Sequence, residues 1–196
     1  MKVQIIGISG ISGAGKTTLT KALAKILKGT RLHWDEFDSL GTGPEDYRAW
    51  YDRGQNYTEW NYESLAKILQ TLKENNVINH PALGKMLLPT PYIIFDAPLG
   101  RLHQQTGIFI DVCIHITLPL DVSLGRRIIR DFKAPDKSKE ELLEELDFYL
   151  KHSRKLFFDE ELQKNADLII DGLLDTATQM KHCVDYLENK FHNGER

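Results

Sequence analysis

Cysteine is scarce in this 196-residue chain: there are two, Cys113 and Cys183, each set within an apolar pattern. No C-x-x-C pair or histidine-rich spacing accompanies them. Neither a disulfide framework nor a zinc site is expected, and both thiols read as small core residues. Long apolar runs are also missing, since no stretch reaches the roughly 20 residues that span a bilayer. The apolar run at the N-terminus is short and leads straight into a glycine-rich loop, so it is not read as a signal peptide. Positive charge is not in excess. Lys and Arg total 25 against 28 Asp and Glu, a formal net charge of −3, which excludes a broad electrostatic footprint for nucleic acid or an anionic membrane. No internal repeat or low-complexity linker is present. What remains is an ordinary globular balance, 41% apolar and 27% charged. It reads as one cytoplasmic domain spanning 1–196.

Against those absences stands one strong motif. Gly10-Ile11-Ser12-Gly13-Ala14-Gly15-Lys16-Thr17 fits G-x-x-x-x-G-K-[ST], the phosphate-binding loop. Val3 to Ile8 precede it as an apolar run rich in β-branched residues, expected to be a buried parallel strand. Leu19, Ala22, Leu23, Ile26 and Leu27 follow it at helical spacing. Glycines let successive backbone N–H groups turn inward on phosphate oxygens, and the helix aims its positive end at the same point. Residues Gly10 to Thr18 are therefore the expected binding segment for a nucleoside triphosphate. Lys16 would reach the β- and γ-phosphates, and the Thr17 hydroxyl would help hold Mg²⁺.

Two aspartates extend this reading. Thr30-Arg31-Leu32-His33 forms a brief second strand that delivers Trp34-Asp35-Glu36-Phe37-Asp38 to the carboxyl end of the sheet, where ligands of open α/β folds bind. Phosphoryl transfer to an alcohol needs a carboxylate that takes the hydroxyl proton, and Asp35 is the first choice. Tyr92-Ile93-Ile94-Phe95-Asp96 is an apolar strand ending in an acid, which sets Asp96 as the second Mg²⁺ partner. The rest supplies weaker candidates. Tyr47, Trp50, Tyr51, Tyr57 and Trp60 crowd residues 39–60, as stacking surfaces for a base or as cover for the sheet edge. Asp52 and Arg101 are candidate substrate contacts, and Asn61 is a candidate cap for the helix bearing Leu65, Ile68, Leu69 and Leu72. Mid-strand His115 reads as a satisfied core residue.

Val112 to Thr117 form another buried strand. A helix over 120–132 is expected to turn Leu120, Leu124, Ile128 and Ile129 inward and to carry Arg126, Arg127 and Arg130. Such arginines suit the clamping of a transferring phosphate on a lid at about 126–155. Arg127 and Arg130 are assigned the catalytic role beside Lys16 and Asp35. A break at Lys133–Ser138 precedes a long helix opened by a Ser138–Glu141 capping box, with Leu142, Leu146, Tyr149 and Leu150 as its stripe. Gly29 is a candidate C-cap of the first helix. Ala166 to Gly172 form the last strand, 175–191 the last helix, and 193–196 a frayed tail.

Taken together, Ile6 to Leu19, Asp35 with Phe37, Arg126 to Asp131 and Ala166 to Ile170 resemble the uridine kinase and nicotinamide riboside kinase group of small P-loop kinases. The resemblance covers both ends of the chain and the lid. It implies a three-layer α/β P-loop NTPase fold of nucleoside or nucleotide kinase type, with a parallel five-strand core and a small helical lid. It also implies ATP and Mg²⁺, an Asp35 that contacts and deprotonates a ribose hydroxyl, and an acceptor that is uridine, cytidine or nicotinamide riboside. Two segments depart from the group: Asp96-Ala97-Pro98 replaces a glutamate followed by glycine, and Lys133 to Lys137 replaces a Gly-Arg-Asp element. The middle of the chain does not match it. Other classes also stay in view. Asp38-Ser39-Leu40-Gly41 spells the D-x-x-G of a GTPase, but no N-K-x-D exists, because Asn189-Lys190 is followed by Phe191-His192. A nucleotide-binding protein without transfer activity is one alternative. A monophosphate kinase is another; it needs a basic pocket, and the arginines within 40–105 are Arg48, Arg53 and Arg101.

Overall fold

Apolar runs of four to seven residues become the strands of a five-stranded parallel sheet in the computed structural model, which describes residues 2–133 and 137–192. Strand β1 (Gln4–Gly10) leads into helix α1 (Lys16–Ile26), followed by β2 (Thr30–His33), α2 (Tyr47–Asp52) and α3 (Glu63–Lys73). A small antiparallel hairpin, β3 (Ile78–Asn79) and β4 (Met86–Leu87), comes before β5 (Tyr92–Asp96), α4 (Gln104–Gly107) and β6 (Val112–Thr117). The chain closes with α5 (Leu120–Asp131), α6 (Lys139–Phe148), α7 (Glu160–Lys164), β7 (Leu168–Asp171) and α8 (Thr176–His192). The sheet order is β2-β5-β1-β6-β7. It sets β1 in the centre and gathers the carboxyl ends of β1, β2 and β5 at one edge.

Side-chain alternation along the strands divides the core into two layers. Ile5, Ile93 and Phe95 face one way, onto Leu65, Ile68, Leu69 and Leu72 of α3. Ile6, Ile8 and Ile94 face the other, onto Leu19 and Leu23 of α1 and Cys183 and Leu187 of α8. Both cysteines are buried and free, and burial pushes the Cys183 thiol up to about 12. Leu69 is fully enclosed in the first layer. Leu69→Ala is expected to destabilise the fold by about 2–5 kcal/mol, read as a lower midpoint in urea with an unchanged slope.

Several local expectations change on packing grounds. The left-handed residue that ends α1 is Lys28 (φ 51°), not Gly29. Gly29 is required instead for close approach, since a Cβ there would lie 2.6 Å from the Tyr92 carbonyl oxygen. Asn61 does not cap α3. It bridges to Thr42 in an antiparallel pair and accepts from Gln105 Nε2 at 2.8 Å. On α5, Ile129 is 70% exposed and only Ser123 is buried. The Ser138–Glu141 capping box is present, but its helix ends at Phe148 and continues as a π turn over Tyr149–Ser153, which buries Tyr149 and leaves Leu150 69% exposed. Residues 134–136 of the expected break and the expected frayed tail at 193–196 lie outside the described residues. Among the described residues no helix is long and apolar enough to cross a membrane.

Candidate active site

The glycines at 13 and 15 shape the loop. Gly15 has φ 101° and Gly13 φ 83°, and a Cβ on Gly13 would meet the Ser123 carbonyl at 2.9 Å. Helix α1 starts at Lys16 with no side-chain cap. The orphan N–H groups of its first turn therefore stay available for an anion. In front of them lies a cavity of about 510 Å³, lined by Ser12, Gly13, Gly15 to Thr18, Asp35, Asp96, Pro98, Arg126 and Arg130. The remaining loop residues do not line it: Gly10, Ile11 and Ala14 are buried behind its wall, and Lys16 Nζ donates to the Ile11 carbonyl at 3.2 Å.

Strand register brings in the acids. Asp96 ends β5 opposite His33 of β2 and Ile8 of β1, which carries its carboxylate under the loop. Thr17 Oγ1 donates to Asp96 Oδ2 at 2.7 Å, and His33 Nδ1 stands 3.5 Å from the same oxygen. The 3₁₀ turn Trp34–Phe37 explains Asp35. Trp34 and Phe37 anchor the turn in the core, so the intervening Asp35 faces out into the cavity. Enclosure raises the Asp35 pKa, with the negative charges of Asp96 and Asp38 adding to it and Lys16 and His33 opposing. Burial lowers that of Lys16, against the attraction of Asp96 and Asp35.

A Thr hydroxyl beside a carboxylate, in front of a phosphate loop, is a set of hard oxygen donors. Among the described residues no group of three or more His, Cys, Asp or Glu could cage a metal. The pair suits Mg²⁺, which keeps several waters and leans on one or two protein oxygens plus substrate phosphates.

A second cavity, of about 450 Å³, adjoins the first through Asp35 and Pro98. Trp34, Tyr47, Trp60 and Tyr62 give it an aromatic wall, with Asp38, Gly41 and Leu99 nearby. Tyr47 and Trp60 stack with centroids 5.5 Å apart at 13°. The Tyr62 hydroxyl donates to Asp38 at 2.9 Å, and burial with that bond raises its pKa. His103 fixes Trp60 from behind, with Nε2 3.0 Å from its carbonyl and Nδ1 2.7 Å from Thr106 Oγ1. A third cavity, of about 330 Å³, shares Gly13, Gly15, Thr18 and Arg126 with the first and runs to the β7–α8 turn.

Not every expected residue reaches these cavities. Arg126 and Arg130 line the first, whereas Arg127 turns away: it pairs with Glu145 at 3.0 Å and lies over the Phe157 ring at 4.5 Å. Its place next to the Leu124–Ile128 stripe draws it inward. Arg126 instead bonds the carbonyls of Gly13 (3.3 Å) and Gly172 (3.1 Å). Arg101 is engaged structurally by Asp167 at 2.6 Å and by the carbonyls of Ile110, Asp111 and Asn165, far from the loop. Asp52 pairs with Lys155 on a separate cavity between α2 and the segment after α6. His115 is fully buried, with Nδ1 3.0 Å from Ser9 Oγ and Nε2 2.8 Å from Asp159.

Fold and loop define a P-loop NTPase. The sequence pattern of the phosphoribulokinase / uridine kinase family matches residues 5–179, and the chain belongs to that family. It is 29% identical over 180 residues to a uridine kinase of Borrelia duttonii (strain Ly), covering 86% of each chain. In fold it is similar to TT1252 from Thermus thermophilus, with a TM-score of 0.54, 18% identity and coverage of 97% and 99%. A gluconokinase from Sinorhizobium meliloti 1021 is also similar, with a TM-score of 0.53, 13% identity and coverage of 98% and 95%.

Proposed function

We propose that this protein transfers the γ-phosphoryl group of ATP to a hydroxyl of a ribonucleoside, uridine, cytidine or nicotinamide riboside. The observation that carries this reading is the position of Asp35, on the boundary between the phosphate cavity and the aromatic cavity. A carboxylate there touches a hydroxyl presented from one side and faces the γ-phosphate held on the other. The aromatic wall supports a nucleoside, because a flat base stacks on Tyr47 and Trp60 while its ribose reaches toward Asp35. The family's uridine kinase relatives support the same acceptor class.

In this reading the loop amides and Lys16 hold the triphosphate. Asp35 accepts the hydroxyl proton as the acceptor oxygen bonds the γ-phosphorus and the bond to the β–γ bridging oxygen breaks, leaving ADP. Thr17 and Asp96 would hold Mg²⁺, which supplies neutralising charge at the phosphates. Arg126 and Arg130 line the phosphate cavity, and we assign to them the clamping of charge on the transferring group within a lid formed by α5 and α6. Trp60→Ala is expected to raise KM for the nucleoside about 5- to 100-fold while leaving the KM for ATP within twofold. An ATP-consumption screen across ribonucleosides, nicotinamide riboside, pantothenate and nucleoside monophosphates tests the acceptor. Turnover with a ribonucleoside supports the reading, and turnover confined to monophosphates contradicts it.

A further inference from the structure

We propose that His80, in the loop of the β3–β4 hairpin, is a positioning residue for Asp35: it tethers the neighbouring Glu36 and so fixes where the 3₁₀ turn Trp34–Phe37 points its base. The inference rests on the assignment of Asp35 as proton acceptor above. His80 lines neither the phosphate cavity nor the aromatic cavity, so any effect it has on transfer passes through another residue.

The hairpin holds His80 at both ends. Its N–H donates to the Lys85 carbonyl at 2.7 Å, and its own carbonyl accepts from Gly84 N at 2.9 Å. The side chain is fully buried, with its ring centroid 4.6 Å from that of Phe37, the last residue of the turn. Nδ1 accepts from Leu83 N at 3.3 Å, so in the neutral ring the proton is on Nε2. Burial, with Lys85 adding to it, lowers the His80 pKa against the pull of Glu36 and keeps the ring neutral near pH 7.

Nε2 stands 3.3 Å from Glu36 Oε2. Both atoms are enclosed, and neither has a well-formed hydrogen bond among the described residues. An enclosed donor and an enclosed acceptor are costly to leave unpaired, so each holds the other in place. Glu36 follows Asp35 directly, between the buried anchors Trp34 and Phe37. Freeing Glu36 lets this tight turn rotate, and the Asp35 carboxylate rotates with it. A base set off by about 1 Å costs up to about 10²-fold in rate.

The test measures kcat and the KM for ATP in the full chain, with the ribonucleoside that wild type turns over. His80→Phe keeps a ring against Phe37 and loses the donor. It is expected to lower kcat about 10- to 100-fold with the KM for ATP within about twofold. His80→Gln keeps a donor toward Glu36 and is expected to stay within about threefold of wild type. In the Asp35→Asn background, His80→Phe should cost less than about twofold more, because its effect runs through the base already lost. Glu36→Met, on the less buried partner, should reproduce His80→Phe and carries the test if that variant does not fold. Wild-type kcat in both variants, a multiplicative fall in the Asp35→Asn background, or a Gln variant as impaired as the Phe variant overturns the proposal. Titration of the Asp35 carboxyl carbon by NMR separates this inference from the kinase reading. In His80→Phe the Asp35 pKa is expected to fall toward the ordinary value of about 3.9, as the loosened turn lets water in. An unchanged Asp35 titration overturns the positioning whether or not a ribonucleoside is turned over. That fall in a protein whose wild type turns over no ribonucleoside overturns the acceptor reading and leaves the positioning of Asp35 standing.

Discussion

Asp35→Asn is expected to lower kcat by about 10²- to 10⁴-fold while ATP titrates as it does with wild type. The carboxylate lines the phosphate cavity but is not part of the loop that grips the phosphates, so its loss removes proton acceptance and alignment rather than nucleotide affinity. The pH dependence follows from the same surroundings. Enclosure first, then Asp96 and Asp38, raise the Asp35 pKa. Because the base is the ionised form, activity is present above that raised value and is lost as pH falls through it. The acid limb of kcat/KM should therefore lie above the ordinary aspartate value of about 3.9. Linkage supplies a control. A carboxyl whose folded pKa is raised weakens the fold wherever it is ionised, so at neutral pH Asp35→Asn should melt no lower than wild type. Near-normal turnover in a folded Asp35→Asn variant would remove the proposed base.

Lys16→Ala is expected to lower kcat by about 10²- to 10³-fold and, unlike the first variant, to weaken ATP binding in direct titration. Lys16 Nζ donates to the Ile11 carbonyl of its own loop at 3.2 Å. Burial lowers its pKa against the pull of Asp96 and Asp35. The ammonium is thus held at the cavity by the Ile11 carbonyl, with Asp96 and Asp35 attracting it from beyond contact distance, ready to exchange that one partner for phosphate oxygens. Unchanged ATP affinity in Lys16→Ala would contradict the role of the loop. The pair of variants separates binding from chemistry, since one residue grips the triphosphate and the other acts on the acceptor.

Much of this architecture was legible in the chain because the informative signals are local. A run such as Tyr92 to Asp96 is short, apolar and ends in an acid, and both the strand and its carboxylate follow from those five residues. The loop from Gly10 to Thr17 is contiguous in the same way. What sequence reasoning missed are contacts between distant segments. Nothing near Arg101 announces that Asp167 will take it, and nothing near Asp52 announces Lys155. Asn61 looks like a cap because caps are local, yet Gln105 and Thr42 engage it. Arg126 and Arg127 are adjacent, so their divergence depends on rotation about the α5 axis. The Leu124–Ile128 stripe was the available signal, because a residue beside the stripe turns toward the protein and its neighbour, 100° on, turns toward the loop. Tyr62 and Leu99 of the aromatic cavity carry no spacing that marks them. The fold alone brings them to a wall.

Transfer itself is tested most directly by following the phosphorus. Wild-type protein is incubated with ATP labelled at the γ-phosphoryl group, Mg²⁺ and the ribonucleoside chosen by the screen, and the products are resolved by chromatography and mass. Phosphoryl transfer with Asp35 as the base requires label to appear in a nucleoside monophosphate in one-to-one ratio with ADP, and to accumulate there about 10²- to 10⁴-fold more slowly in Asp35→Asn. Label found only in inorganic phosphate, or in no product at all across the ribonucleosides, would contradict the assignment.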